Sequence, residues 1–303
     1  NLFTAVLFIL AVLIGFETRA QTSTQYLDVN NVLVPITPGS MTMFNDTSRK
    51  AHYSYPKDNP KTLISSCGLW FGAKNNDSLF VSAQTYEQKG KDFYAGPLDI
   101  FTAFSDSASQ AKYNRTWKIN RAEIEDFKLK YTNPGYIIPS PILDWPAHGD
   151  GNHAQNLAPF VDVNSDGKYN PKDGDYPKIK GDQMIFWILN DRAKGTEKGA
   201  NRESGGTPLG IEIHCSAYAF QCKKDNDDTT EVLNNTTFYN FKIINRSILN
   251  YEGFRMGLFV DGDLGNFRDD YAGCHVKSST GFTYNGDDND DGPDGFGALS
   301  NGM

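Results

Sequence analysis

Apolar residues recur along this chain in short runs, and most of the runs read as strands. Residues 209–222 (LGIEIHCSAYAFQC) alternate, with Ile211, Ile213, Cys215, Ala217 and Ala219 on one side. Period-two alternation marks a strand with one buried face. Residues 62–72 (TLISSCGLWFG) and 78–86 (SLFVSAQTY) predict two more strands. Between them Lys74-Asn75-Asn76-Asp77 is rich in turn formers. Residues 236–245 and 251–260 predict another pair, parted by a turn over 245–250. Residues 182–190 (DQMIFWILN) are strongly apolar and predict a buried strand. Residues 31–35 (NVLVP) predict an edge strand, where a proline without an N–H is tolerated.

A 3.6-residue pattern stands out once. Asn120 is placed to cap a helix, and Glu123 three residues later completes a capping box. Ile119, Ile124, Phe127 and Tyr131 would line its buried side, and Pro134-Gly135 would stop it. Residues 136–159 have no clear period, and residues 191–208 form a charged, glycine-rich stretch that predicts a mobile loop. These elements predict a mainly β fold: an antiparallel β-sandwich or jelly roll with long loops and one short helix over about 120–132.

The N-terminus reads differently. Residues 5–16 are an unbroken apolar run of 12 residues, too short to span a bilayer, followed by Thr18-Arg19-Ala20 and polar Gln21. That is the layout of a secretory signal peptide over residues 1–20. Gln21 in place of a cysteine argues against a lipid anchor. A single β-rich domain over 21–303 would follow, expected to be part of a chain longer at both ends. No later stretch reaches transmembrane length. The four cysteines, Cys67, Cys215, Cys222 and Cys274, permit disulfides in an exported protein, with three pairings open.

Net charge is −8, and the acids are clustered. This balance disfavours nucleic acid and anionic membranes and suits a cation. Residues 162–173 read D-x-N-x-D-G-x-Y-x-x-x-D. Asp162, Asn164 and Asp166 offer side-chain oxygens at loop positions 1, 3 and 5, Lys168 its carbonyl at 7, and Asp173 the closing carboxylate at 12. Gly167 stands where such a loop turns sharply. The spacing predicts a calcium site. Gly174 and Pro177 follow at once, so no helix can start there. The loop reads as a static brace rather than a sensor, with a dissociation constant of about 10⁻⁴ to 10⁻³ M. It would pin residues 136–159 against the sheet. Asp261, Asp263, Asp269 and Asp270, with Asn266, form a second acidic cluster and a second candidate cation site. Residues 287–295 are a third acidic run. His148 and His153, with Asp150 between them, fit no helix-based zinc spacing.

The wording of several stretches resembles large exported Bacteroidota surface proteins that carry the C-terminal sorting domain of the type IX secretion system. The residues are Leu157 to Asn164, Gly174-Asp175-Tyr176-Pro177 to Gln183, Gly68-Leu69-Trp70-Phe71-Gly72, Gly96-Pro97-Leu98-Asp99, Ile243 to Ser247, and Asp263-Leu264-Gly265 with Asp269 to Cys274. The calcium loop itself resembles dockerin and EF-hand loops. The first resemblance implies export, with the type IX machinery as a partner of the full-length protein. It implies no activity, and the sorting domain is not in this sequence. Asp77-Ser78-Leu79, Asp106-Ser107-Ala108 and Asp228-Thr229-Thr230 match the short O-glycosylation sequence of that phylum.

Two functions follow as expectations. The first is a secreted or cell-surface β protein, braced by calcium, with a non-catalytic structural or adhesive role. The second is a secreted glycan-binding module or glycoside hydrolase, with Trp70, Trp117, Trp145 or Trp187 as a stacking surface for an extracellular glycan. A groove holding two carboxylates about 5 to 10 Å apart would favour the hydrolase.

Overall fold

The computed structural model describes residues 24–40, 44–45, 50–51, 53–58, 61–85, 89–196, 201–222, 228–264 and 268–286. The expected signal peptide and the acidic run 287–295 lie outside the described residues.

The apolar run at Gln183–Asn190 forms a strand in which every residue is buried. A strand with only one covered face would alternate, so this one needs a layer on each side. The elements before it are β1 (Gln25–Leu27), β2 (Val34–Ile36), β3 (Phe44–Asn45), β4 (Lys50–Ala51), β5 (Tyr53–Tyr55), β6 (Lys61–Asn75), β7 (Ser78–Ala83) and β8 (Tyr94–Ala95). Next come α1 (Ser107–Tyr113), β9 (Trp117–Asn120), α2 (Arg121–Lys130), α3 (Ser140–Leu143), β10 (Phe160–Val161) and β11 (Tyr176–Pro177). The buried strand is β12. After it come β13 (Ile211–Ala219), α4 (Asp228–Asn234), β14 (Phe238–Asn245), β15 (Glu252–Gly262), β16 (Asp270–His275) and β17 (Thr280–Asn285).

Two antiparallel sheets carry the fold. In the first, the order is β14-β13-β12, and β8 and β9 share the far edge of β12. In the second, β15 pairs β6, and β5 and β7 share the other edge of β6. The β6–β7 link is a tight turn with Asn75 opposite Ser78 and Asn76 at φ 51°. Asparagine tolerates that left-handed conformation, which two-residue hairpins require.

The sheets share one core. Ile185, Trp187 and Leu189 of β12 and Ile211, Ile213 and Cys215 of β13 meet Cys67, Leu69, Phe71 and Ala73 of β6. The mainly β, sandwich-like architecture expected from the pattern is what is found. Cys67 and Cys215 are both buried in this core as thiols, and none of the four cysteines forms a disulfide.

A third layer covers the other face of β12, where Met184, Phe186 and Ile188 point away from the sandwich core. Ile124 and Phe127 of α2, Tyr113 of α1 and Ile142 of α3 pack on them, with Trp145 and Leu157 from the irregular stretch. The expected helix is present as α2, and the Glu123 carboxylate accepts from the Asn120 N–H at 2.9 Å. Three further short helices correct the expectation of one. A run of seven or fewer residues shows too little of the 3.6 period to stand out. In α1 the signal was a cap instead: Asp106 accepts from Ser109 N at 2.8 Å.

The described parts of the stretch 191–208 are anchored by buried polar contacts. Arg202 is buried and ion-pairs with buried Asp92 at 3.2 Å. It also donates to Asp191 O at 3.0 Å and Ser82 Oγ at 2.8 Å. The buried Asp191 carboxylate accepts from Ser82 Oγ, Leu209 N and Ile211 N at 2.7 to 2.8 Å. Gly90 lets the returning chain in, since a Cβ there would lie 2.4 Å from the Arg202 carbonyl carbon.

Arg202→Ala leaves the Asp92 carboxylate buried without its charge partner. It should cost about 3–5 kcal/mol in urea unfolding, and a loss below about 1 kcal/mol would show that the loop is not held this way. Glu212 adds a pH signature. Burial pushes its carboxyl up, but hydrogen bonds from His214 and Arg246 and their charges outweigh that and bring it down to about 2, from an ordinary 4.5. Between those values the unfolded chain holds a proton that the folded chain does not. The contribution of Glu212 is therefore complete above pH 4.5 and lost as pH falls to about 2. Glu212→Gln should flatten this part of the urea-midpoint profile; an unchanged slope would refute it.

Candidate metal-binding loops

β10 and β11 pair antiparallel, Phe160 with Pro177 and Val161 with Tyr176. Residues 162–175 are therefore the loop of a hairpin, with Asp162 leaving one strand and Asp175 entering the other. Short polar side chains fold the first half. Asp162 Oδ2 accepts from Gly167 N at 2.8 Å, and Asn164 Oδ1 from Asp166 N at 3.1 Å. Asn164 Nδ2 donates to Asp166 Oδ2 at 3.2 Å, and Asp166 Oδ1 accepts from Lys168 N at 2.8 Å. Ser165 and Gly167 take positive φ, 61° and 75°, and so keep the turn tight.

The structure thus gathers Asp162, Asn164 and Asp166 on one turn, with Lys168 tied to it. Asp173 is elsewhere: it sits in a 3₁₀ turn, and its Oδ2 accepts from Asn170 Nδ2 at 2.6 Å. The oxygen donors at positions 1, 3 and 5 fit a hard cation such as calcium. Asp173 does not meet them. Among the described residues, no three His, Cys, Asp or Glu side chains stand together as a metal-holding group.

The carboxylate that closes the loop is Asp175, which the spacing argument passed over. It is fully buried and accepts from Val163 N at 2.8 Å and Asn170 N at 2.9 Å. The signal that could have found it was its place directly before Tyr176-Pro177, at the base of the hairpin.

The loop is tied by hydrogen bonds to the third layer over residues 136–159. His148 Nε2 accepts from Tyr169 N at 2.9 Å, and its Nδ1 donates to Gln155 O at 2.8 Å. Tyr169 donates its hydroxyl to Ile142 O at 2.6 Å. Burial and then the Asp175 charge push that hydroxyl's pKa up, so it stays a donor. His153 bonds Ser109 Oγ at 3.1 Å and Asp150 at 3.3 Å. Both imidazoles are engaged in structural bonds.

The second set of acids lies between the end of β15 and the start of β16. Asp263 Oδ2 accepts from Ser65 Oγ and Asp270 Oδ2 from Leu264 N, both at 2.8 Å. Asp263 Oδ1 and Asp269 Oδ1 are buried without a hydrogen-bond partner among the described residues. Burial, then the charge of Asp263, push the Asp261 carboxyl up. Arg268 stands within the same ten residues as these acids. Asn266 lies outside the described residues.

Of the four tryptophans, Trp117, Trp145 and Trp187 are buried in the cores and cannot serve as stacking surfaces. Trp70 is exposed, stacks on Phe259 and donates to Gln84 O at 2.7 Å. Fold and loops together define a mainly β, sandwich-like protein with acidic, oxygen-rich turns. No protein-family model, curated protein or solved structure matches the chain.

Asp175→Ala removes the acceptor for two backbone N–H groups. It should cost about 2–4 kcal/mol in urea unfolding, at about 1–3 kcal/mol for each donor left unmet where it is buried. Tyr169→Phe should cost about 1 kcal/mol. An Asp175→Ala loss under about 0.5 kcal/mol would mean the loop is closed by something else.

Proposed function

We propose that this is an exported, non-catalytic β protein, braced by calcium, with a structural or adhesive role outside the cell or on its surface. The observation that carries it is the pair of buried, unpartnered carboxylate oxygens on Asp263 and Asp269. Leaving a charged group buried and unmet costs more than the 1–3 kcal/mol of a neutral one, and a cation removes that cost. The gathered oxygens of Asp162, Asn164 and Asp166 support the same reading at the hairpin loop. There a cation would supply positive charge to hold the turn, and Lys168 would contribute its carbonyl. At Asp261, Asp263, Asp269 and Asp270 it would relieve the repulsion that pushes Asp261 up.

Export rests on the apolar run at 5–16 and on the resemblance to type IX cargo. Among the described residues, no helix is long and apolar enough to cross a membrane. Paired-carboxylate hydrolysis finds no support in the two main clefts, because no Asp or Glu lines either one.

Thermal melting with calcium and with chelator tests the brace. A site with a dissociation constant of about 10⁻⁴ M is stabilised by about 2.7 kcal/mol at a hundredfold excess of ion. That corresponds to a rise of roughly 5–10 °C for a chain of this size. Asp263→Ala and Asp162→Ala should each remove part of the rise. A melting temperature that ignores both calcium and chelator rejects the reading.

A further inference from the structure

The outer face of the first sheet holds a cleft of about 580 Å³. That volume is in the range of small-molecule sites. Its floor is laid by register. Phe186, Ser216 and Asn240 are cross-strand neighbours on β12, β13 and β14, and His214 and Lys242 form the next row. Paired residues in an antiparallel sheet share a face, so these side chains converge. One wall is the stretch 155–160 and the other contains Lys178 and Lys180. The β10–β11 pairing and the Lys178 N to Pro159 O bond, 3.0 Å, hold the two walls together.

The lining combines three kinds of group. Met184, Phe186 and Phe160 are apolar, and Asn156, Ser216 and Asn240 can bond hydroxyls. Lys178, Lys180 and Lys242 add charge. Among the described residues none of these three lysines has an ion-pair partner, although the chain carries a net charge of −8. No carboxylate lines the cleft to neutralise them. Three ammonium groups without an ion-pair partner, that of Lys180 lying over the Tyr218 ring at 5.6 Å, attract an anion to one concavity.

The floor is also rigid and polar. His214 is buried, and its Nε2 meets Glu212 Oε1 at 2.7 Å. Glu212 in turn accepts from Arg246 and from Leu98 N, each at 2.8 Å. The ionised carboxylate is acceptor-only, so Nε2 carries the proton. Nδ1 is left buried with no partner, a polar demand beside the cleft that a seated hydroxyl would answer.

We propose that this cleft binds an acidic sugar: a hydroxylated ring bearing an anionic group. Half-buried Phe160 takes the ring face, the amides and Ser216 take hydroxyls, and Lys178, Lys180 and Lys242 take the anion. None of these side chains belongs to a candidate cation site, so the cleft and the brace stand or fall separately.

Calorimetric titration of the full chain tests it, with tri-galacturonate, a sulfated disaccharide and neutral maltotriose as probes. An anionic probe should bind at least about tenfold tighter than maltotriose, and 0.5 M NaCl, about the level at which exposed charges are screened, should weaken it. Lys180→Ala and Lys242→Ala alter exposed side chains, and each should weaken anion binding about tenfold, which is about 1.4 kcal/mol. Lys128→Ala, on α2, should leave it unchanged. Preference for the carboxylated or the sulfated probe identifies which anion the site takes. Variants are compared in calcium and in chelator separately, so that a lost brace does not read as a lost cleft. Binding of neither anionic probe, equal binding of maltotriose, or anion binding that survives Lys180→Ala/Lys242→Ala would overturn the proposal.

Discussion

The fold depends on covering both faces of β12. Its alternate residues are divided between two cores, with Ile185, Trp187 and Leu189 in one and Met184, Phe186 and Ile188 in the other. A bare apolar face there would cost about 25 cal/mol for each Å² left in water, so neither layer is optional. The second sheet supplies one cover. Helices and a largely irregular stretch supply the other. Irregular backbone can serve as a layer when its polar groups are met, and Trp145 Nε1 to Pro159 O and Tyr169 to Ile142 O are examples of how.

That third layer explains why the acidic hairpin lies where it does. The hairpin of β10 and β11 closes over residues that have no regular structure of their own, and it is tied to them through His148 and Tyr169. Asp175 closes the base from inside, and the turn at 162–168 closes the tip. A cation at the tip would add to an order that hydrogen bonds already define. The same hairpin contributes Phe160, Lys178 and Lys180 to the walls of the lysine-lined cleft.

Legibility followed length and period. The strands at 62–72, 182–190, 209–222, 236–245 and 251–260 were readable because several residues repeat one rule in each. The capped helix at α2 was readable for the same reason. The helices α1, α3 and α4 were not, since seven residues or fewer hold too little period. Asp162, Asn164 and Asp166 share one turn because their contacts are local, two to five residues apart. The place of Asp173 is not set locally. Whether the twelfth position reaches the first depends on the path between them, and here a 3₁₀ turn and Asn170 hold it away.

By itself the sequence determined the β character, the one capped helix at α2, the acid balance and the tip of the hairpin loop. All of these depend on neighbours within a few residues. Only the tertiary structure decided which acid closes the loop, that Arg202 anchors the stretch after β12, and that three of the four tryptophans are core. It alone brought Lys178, Lys180 and Lys242 around one cleft. Lys242 is far in the chain from Lys178 and Lys180, and only sheet register and packing bring it to them.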